Sequence, residues 1–225
     1  MARKFLITRN KKFAEKTKKD LSKHKISSIT APLYEIKNLP IDLNQLENSS
    51  IILTSKNALN NFNKSEILKI NQKNEFLLVG ESFYYYLRNC GLNKLQYFVN
   101  SRALLEYIVQ NKGQYHYLRG AKISLNLKQY VPDITEQICY EVIYYQLEEN
   151  YLTKLIKEHQ VTDLLFFSQE NAKYFIKNID KSILLDLNIF CLSKRIAEVF
   201  TGFSKNIIYP NTPTYMNLIK CLVSH

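Results

Sequence analysis

Short β-type runs alternate with amphipathic segments of helix length along the whole chain. The predicted strands are residues 5–8, 26–30, 51–54, 76–79, 96–99, 115–118, 164–167, 189–192 and 206–209. The predicted helices are residues 11–23, 56–70, 82–89, 101–110, 148–159, 170–178, 194–201 and 213–223. This alternation favours an α/β fold in which parallel sheets carry helices on both faces. Binding sites in such sheets form beyond the carboxyl ends of the strands.

Two segments interrupt the alternation, residues 33–39 and residues 138–145. Both are rich in β-branched and aromatic residues, with "YEI" in the first and "YEV" in the second, and neither leads directly into a helix. They are predicted to pair as a two-stranded antiparallel ladder.

An internal repeat predicts that this ladder connects two lobes of the same design. The segment "IILTSKNALNNF" at 51–62 resembles "LLFFSQENAKYF" at 164–175, so Ser55 aligns with Ser168 at an offset of 113 residues (from 55 to 168). We expect a discontinuous first lobe, residues 1–33 with 145–225, and a second lobe, residues 40–137. Residues 34–39 and 138–144 form the connecting ladder, and each lobe receives a sheet of about five strands.

The composition excludes several classes of site and partner. The four cysteines and four histidines are scattered without metal-ligand spacing, which predicts neither a zinc site nor a disulfide framework. With only five glycines and no Gly-rich phosphate loop after a strand, no bound flavin is expected. No apolar run approaches the roughly 20 residues of a membrane-spanning helix, and the first residues lack the apolar core of a secretory signal. We therefore expect a cytoplasmic protein without a membrane partner.

The net charge of +11 suggests an anionic partner, although surface lysines in contact with water also explain it. The densest basic cluster, "RNKKFAEKTKKDLSKHK", has the apolar spacing of an exposed amphipathic helix. From charge and aromatic content alone, a basic nucleic-acid-binding α/β protein stays open, but no nucleic-acid motif appears. A non-catalytic two-lobed ligand-binding protein also stays open.

The order of motifs along the chain resembles the uroporphyrinogen-III synthase family over about residues 5–222. The motifs are "FLITRN", "APLYEI", "IILTSKNAL", "FLLVGES", "YHYLRG", "CYEVIYY", "LLFFSQENA", "IFCLS" and "TPTYMNLIKCL", of which the "TSKNA" segment is the most specific. The resemblance implies two flavodoxin-like lobes joined by a two-stranded β-ladder. It also implies an enzyme without cofactor or metal that closes hydroxymethylbilane, a linear tetrapyrrole with eight carboxylates, to uroporphyrinogen III. Water is lost and ring D is inverted in this reaction. We expect a monomer that acts on this small molecule.

Hydroxyl and basic residues at the ends of predicted strands are the candidate substrate-binding groups. A helix N-terminus binds anions, so Thr54, Ser55 and Ser168 are candidates for carboxylate binding, with helix capping as the alternative. Lys56 adds a positive charge beside the first two, and the alternative for it is a surface lysine in contact with water.

The resemblance adds Tyr140 on the second ladder strand as the candidate acid for the departing hydroxyl; simple packing is the alternative. It also implies that Thr214 faces the substrate, with Ser101 as the repeat partner; capping is the alternative for each, and Thr212 competes for the cap of the last helix. Arg9 and Arg119 end two predicted strands and are candidates for carboxylate binding, with a structural ion pair as the alternative for each.

Two turns depart from the family's pattern. Glu81, Ser82 and Phe83 stand where a small residue and a threonine are common, and Leu192 stands where glycine is usual. We expect the corresponding turn contacts with substrate to differ in this chain, since losing glycine narrows the conformations available to an anion-binding turn.

Overall fold

A computed structural model describes residues 3–225, which divide into two compact units. The first unit consists of the residues up to Glu35 together with Tyr144–His225, and the second is Ile36–Ile143. The chain therefore leaves the first unit once and returns to it once.

The first unit is a parallel sheet covered by helices on both faces. Its elements are β1 (Lys4–Ile7), α1 (Lys11–Lys23), β2 (Ser27–Thr30), α5 (Tyr151–Glu158), β9 (Asp163–Phe166), α6 (Gln169–Lys177), β10 (Asn188–Cys191), α7 (Lys194–Ala197), β11 (Ile207–Ile208) and α8 (Tyr215–Ser224). The strand order is β11-β10-β9-β1-β2, with every pair parallel. Renumbered within the unit this order is 2-1-3-4-5, which is the flavodoxin-like order. Alternate strand residues enter separate apolar clusters, Leu6 and Leu164 in one and Phe5 and Leu165 in the other, as expected for a sheet buried on both faces.

The second unit contains a six-stranded sheet. Its elements are β3 (Tyr34–Asn38), β4 (Ser50–Leu53), α2 (Lys64–Lys73), β5 (Phe76–Val79), α3 (Glu81–Asn89), β6 (Leu95–Phe98), α4 (Ser101–Gln110), β7 (Tyr115–Gly120) and β8 (Thr135–Tyr144). The strand order is β3-β8-β7-β4-β5-β6, and the five strands other than β3 are parallel to one another. The prediction of two α/β sheets, each with parallel strands and helices, is confirmed.

The connecting ladder is built from β3 and β8. The amide of Leu39 donates to the carbonyl of Cys139 (2.9 Å), and the amide of Tyr145 donates to the carbonyl of Leu33 (3.0 Å). The residue numbers run in opposite senses along the two strands, so the pair is antiparallel. The ladder is not a separate element, however, because β8 also pairs with β7 and so continues the sheet of the second unit.

The two sheets share one spatial layout with different chain connections. Strands β9, β10 and β11 stand in the first sheet as β4, β5 and β6 stand in the second, which is the correspondence given by the internal repeat. Beyond them, β1 and β2 occupy the places of β7 and β8. The first unit thus begins at the strand that comes fourth in the repeat of the second.

Two of the predicted helices are interrupted in the structure. The prediction of a helix over 56–70 is wrong, because a 3-10 helix, Lys56–Leu59, is separated from α2 by a turn. Asparagines supply that turn, and Asn63 starts α2 through a capping box with Glu66. The helix predicted over 194–201 is α-helical only to Ala197 and then tightens into a 3-10 turn, Glu198–Phe200.

Within residues 3–225, no helix is long and apolar enough to cross a membrane. The same residues contain no cluster of three or more His, Cys, Asp or Glu side chains that could hold a metal ion.

Candidate functional site

Most of the candidate residues lie near the carboxyl ends of strands, and each unit contains some of them. In the second unit, β4 and β7 are neighbours with Leu53 opposite Leu118, so the residues that follow β4 lie beside the end of β7. Thr54 Oγ1 and Tyr117 Oη are hydrogen-bonded at 2.9 Å across these two strands. Burial raises the pKa of Tyr117, an effect partly offset by this bond.

Ser55 caps the 3-10 helix that follows β4. Its Oγ accepts from the amide of Asn57 at 3.2 Å, which satisfies the capping alternative. The serine also contacts the phenol of Tyr140: burial raises the pKa of Tyr140, and a hydrogen bond with the Ser55 side chain partly offsets that rise. Tyr140 is therefore a half-buried, protonated phenol with a hydroxyl neighbour. Thr54, Ser55 and Tyr140 come together at the carboxyl end of the parallel strands of this sheet.

The basic candidates of the second unit lie in different environments. Lys56 is exposed, and its ammonium lies 4.8 Å from the centre of the Tyr86 ring, a cation–π contact. Arg119 instead forms an ion pair with Glu136, Nε to Oε2 at 3.1 Å, and both side chains are largely buried. The structural alternative for Arg119 is thus observed.

Ser101 is the first residue of α4 and does not cap it. The cap is Asn100, whose Oδ1 accepts from the amides of Arg102 and Ala103, both at 3.0 Å. The capping alternative for Ser101 is therefore wrong, because Asn100, one residue earlier, supplies the cap.

In the first unit, Arg9 follows β1 and lies between two aromatic rings. Its guanidinium carbon is 4.0 Å from the centre of the Phe167 ring and 4.8 Å from that of Phe13. Burial lowers the pKa of Arg9, and the neighbouring Tyr34 and Tyr215 oppose this effect. Its Nη1 donates to Thr17 Oγ1 at 3.4 Å, whereas its buried Nε has no hydrogen-bond partner in the described residues. Arg9 therefore retains a buried donor that has no partner among the described residues.

Ser168 follows β9 and caps α6, its Oγ accepting from the amide of Asn171 at 3.2 Å. The buried Asn171 side chain also donates to Thr8 Oγ1 at 2.8 Å, which ties the start of α6 to the end of β1. The capping alternative for Ser168 is observed, and its position at the strand end is the one predicted.

Thr214 caps α8, its Oγ1 accepting from the amide of Asn217 at 3.2 Å, so Thr212 is not the cap. The next residue, Tyr215, stacks on Phe167 with ring centres 5.9 Å apart. Since Phe167 also carries Arg9, the ends of β1 and β9 and the start of α8 meet around one aromatic ring.

Three residues that contact the candidates were not predicted from the sequence: Tyr117, Phe167 and Asn171. Tyr117 lies two residues before Arg119, so a period of two along β7 is the signal that places them on one face. Asn171 is the third residue after the Ser168 cap, which is the position whose backbone amide a capping side chain commonly binds. Phe167 carried no signal, because one more apolar residue at a strand end is unremarkable in a chain with 12 phenylalanines.

Most of the chain matches one known protein family. A family model described as uroporphyrinogen-III synthase HemD matches residues 15–220. The chain belongs to the uroporphyrinogen-III synthase family. The resemblance seen in the sequence is confirmed, and with it the assignment as a cyclising lyase of tetrapyrrole biosynthesis. Nothing in the comparisons favours a nucleic-acid-binding or a non-catalytic protein.

Solved structures of uroporphyrinogen III synthases share the fold. A mutant enzyme from the extremely thermophilic bacterium Thermus thermophilus superposes with a TM-score of 0.67 at 12% identity, covering 100% of this chain and 97% of that one. The enzyme from Helicobacter pylori 26695 gives 0.64 at 18% identity, covering 100% of this chain and 99% of that one. No curated protein matches the sequence significantly.

Proposed function

We propose that this uroporphyrinogen-III synthase family member takes hydroxymethylbilane as substrate in the cytoplasm, as a monomer and without a cofactor, and releases uroporphyrinogen III. The Tyr140 phenol carries the proposal. It remains protonated well above neutral pH because burial raises its pKa, and it lies beside a second hydroxyl, Ser55, at the carboxyl end of a parallel sheet.

In the proposed first step, Tyr140 donates its proton to the hydroxyl of the substrate's terminal ring. The carbon–oxygen bond breaks, water leaves, and a delocalised azafulvene cation remains on that ring. The substituted carbon of ring D attacks the cation and gives a spiro intermediate. The bond from that carbon to the methylene bridge of ring C then breaks, the cationic methylene group bonds to the free α-carbon of ring D, and the proton displaced from this α-carbon returns to the phenolate. Because the substrate also closes unaided, to the wrong isomer, the protein contributes mainly by holding the two ends of the chain.

The substrate's eight carboxylates need hydrogen-bond donors, and candidate donors are present in both units. Arg9 has a buried Nε with an unused proton, and guanidinium groups suit carboxylates better than ammonium groups do. Each of the further proposed contacts lies just after a strand or at the start of a helix. They are Thr54, Lys56, Ser101, Ser168 and Thr214. Arg119 stays in the proposed set with the weakest support, because Glu136 already occupies its Nε.

The test is an assay with freshly generated hydroxymethylbilane, followed by oxidation and separation of the uroporphyrin isomers. We expect catalysed formation of isomer III above the unaided formation of isomer I. Isomer I alone, at the rate seen without protein, would contradict the proposal.

A further inference from the structure

An irregularity between β7 and β8 lies directly next to Tyr140. Arg119 pairs with Ile138, but the next residue, Gly120, pairs with Tyr140, so Cys139 is an extra residue on β8. Successive side chains of a regular strand point to opposite faces. Here Cys139 and Tyr140 both pack against the same apolar cluster, so this β-bulge turns the tyrosine toward the face that the regular strand would deny it.

Hydrogen bonds of Cys139 hold the bulge in place. Its carbonyl oxygen accepts from the amide of Leu39 at 2.9 Å and from Asn61 Nδ2 at 2.7 Å. Its buried thiol donates to the carbonyl of Arg119 at 3.1 Å. The extra residue is therefore bonded from three directions and does not leave a backbone carbonyl unpaired.

Gly120 supplies the space that the Tyr140 ring occupies. A Cβ built on Gly120 would lie 2.7 Å from Cζ and 2.9 Å from both Cε2 and Oη of Tyr140, which is closer than a real Cβ approaches another atom. The backbone of Gly120 is not in the left-handed region, unlike that of Gly80, Gly91 and Gly202. Glycine is needed at this position because of the ring, and any other residue must displace the hydroxyl end of Tyr140.

We propose that Gly120 and Cys139, the extra residue of the β-bulge, are positioning residues for Tyr140. They fix the phenol with its hydroxyl beside Ser55, where it reaches the leaving hydroxyl of the substrate. This inference rests on the proposed function for its kinetic consequence, but the placement of the ring can be measured without any substrate.

The first measurement is the fluorine NMR spectrum of protein labelled with 3-fluorotyrosine. The signal of Tyr140 among the 16 tyrosines is the one missing in Tyr140→Phe. We expect Gly120→Ala to move this signal. Gly113→Ala is the matched control, since its added Cβ would meet the Tyr115 ring at an ordinary 3.4 Å, and it should leave the Tyr140 signal in place.

The second measurement is a double-mutant cycle on isomer III formation. We expect Gly120→Ala to lower kcat about tenfold or more with KM within about twofold, since acid catalysis contributes on the order of a hundredfold. In the Tyr140→Phe background the same change should lower kcat by less than about twofold, because both substitutions disable one group.

A third variant keeps the test decisive if Gly120→Ala does not fold. Asn61→Ala removes one donor to the Cys139 carbonyl, and we expect it to move the Tyr140 signal and to lower kcat several-fold. An unmoved signal together with unchanged kcat in the folded variants would overturn the inference. An equal loss of kcat by Gly120→Ala in both backgrounds would overturn it as well, since Gly120 would then act independently of Tyr140.

Failure of the proposed function has a different signature. If Tyr140→Phe keeps the wild-type kcat while Gly120→Ala still moves the Tyr140 signal, the positioning of the ring by Gly120 is supported. The role of Tyr140 as the acid is overturned in that case.

Discussion

At the scale of single residues, the hydroxyl of Tyr140 is the group on which the proposed chemistry depends. Replacing it by Tyr140→Phe keeps the ring and its packing, so we expect kcat for isomer III to fall about tenfold to a hundredfold with little change in unfolding free energy. Tyr130→Phe, at a tyrosine that is 54% exposed, is the control. Because burial raises the pKa of Tyr140 above its ordinary value of 10, the acid should not lose its proton between pH 7 and 9. Unaltered turnover in Tyr140→Phe would remove this tyrosine from the mechanism.

The proposed carboxylate contact of Arg9 depends on the planar shape of its guanidinium group as well as on its charge. Arg9→Lys keeps the positive charge but loses the planar fork that lies on Phe167, so we expect KM for hydroxymethylbilane to rise about tenfold while kcat changes less than about twofold. Steady-state kinetics at fixed ionic strength measures both. Arg102→Lys is the matched control, because Arg102 is exposed and pairs with Glu106 on the same helix. A similar KM in both variants would show that Arg9 does not hold a carboxylate.

At the scale of elements, the cap of α4 predicts different effects on stability for two adjacent residues, Asn100 and Ser101. Asn100→Ala removes the acceptor of two backbone amides, and we expect it to lower the free energy of unfolding by about 1 kcal/mol. Ser101→Ala, one residue later, should change that free energy by less than about 0.5 kcal/mol. Urea denaturation of the two variants gives both values. A larger effect at Ser101 than at Asn100 would instead support the capping alternative for Ser101.

The period of apolar residues was enough to predict the strands and most helices, because buried parallel strands and amphipathic helices leave distinct patterns. Helix α1 and helix α4 have the predicted bounds. The break at Asn60 to Asn63 was missed because apolar spacing continues across it and only the turn preference of asparagine interrupts the helix. The site was predictable where a hydroxyl follows a strand, as at Ser55. The Cys139 bulge was not, since a one-residue shift between strands leaves no mark in either strand's own sequence.

At the scale of the whole molecule, buried phenols and thiols make the fold sensitive to alkali. Burial raises the pKa of Tyr117 and Tyr144, that of Cys139 to about 11 and that of Cys191 to about 12. Folding thus favours the protonated forms: their contribution is complete below the unfolded pKa values, near 8.5 for cysteine and 10 for tyrosine, and is lost as pH rises through the folded ones. We expect the free energy of unfolding to fall by more than about 2 kcal/mol between pH 8 and 10.5. Urea denaturation curves at the two pH values measure this, and equal midpoints and slopes would contradict it.

Because the first unit is discontinuous in sequence, its strands become available for pairing at very different times during synthesis. All strands of the second sheet from β4 to β8 emerge in succession, so that sheet can assemble while translation continues. Strand β1 pairs with β9, and Arg3 with Asp163, across roughly two thirds of the chain. At about 5–20 residues per second, the apolar β1 waits on the order of ten seconds with one edge unpaired. During that interval the unpaired edge of β1 is a template for incorrect strand pairing. A chaperone that covers this edge is therefore most useful in this period.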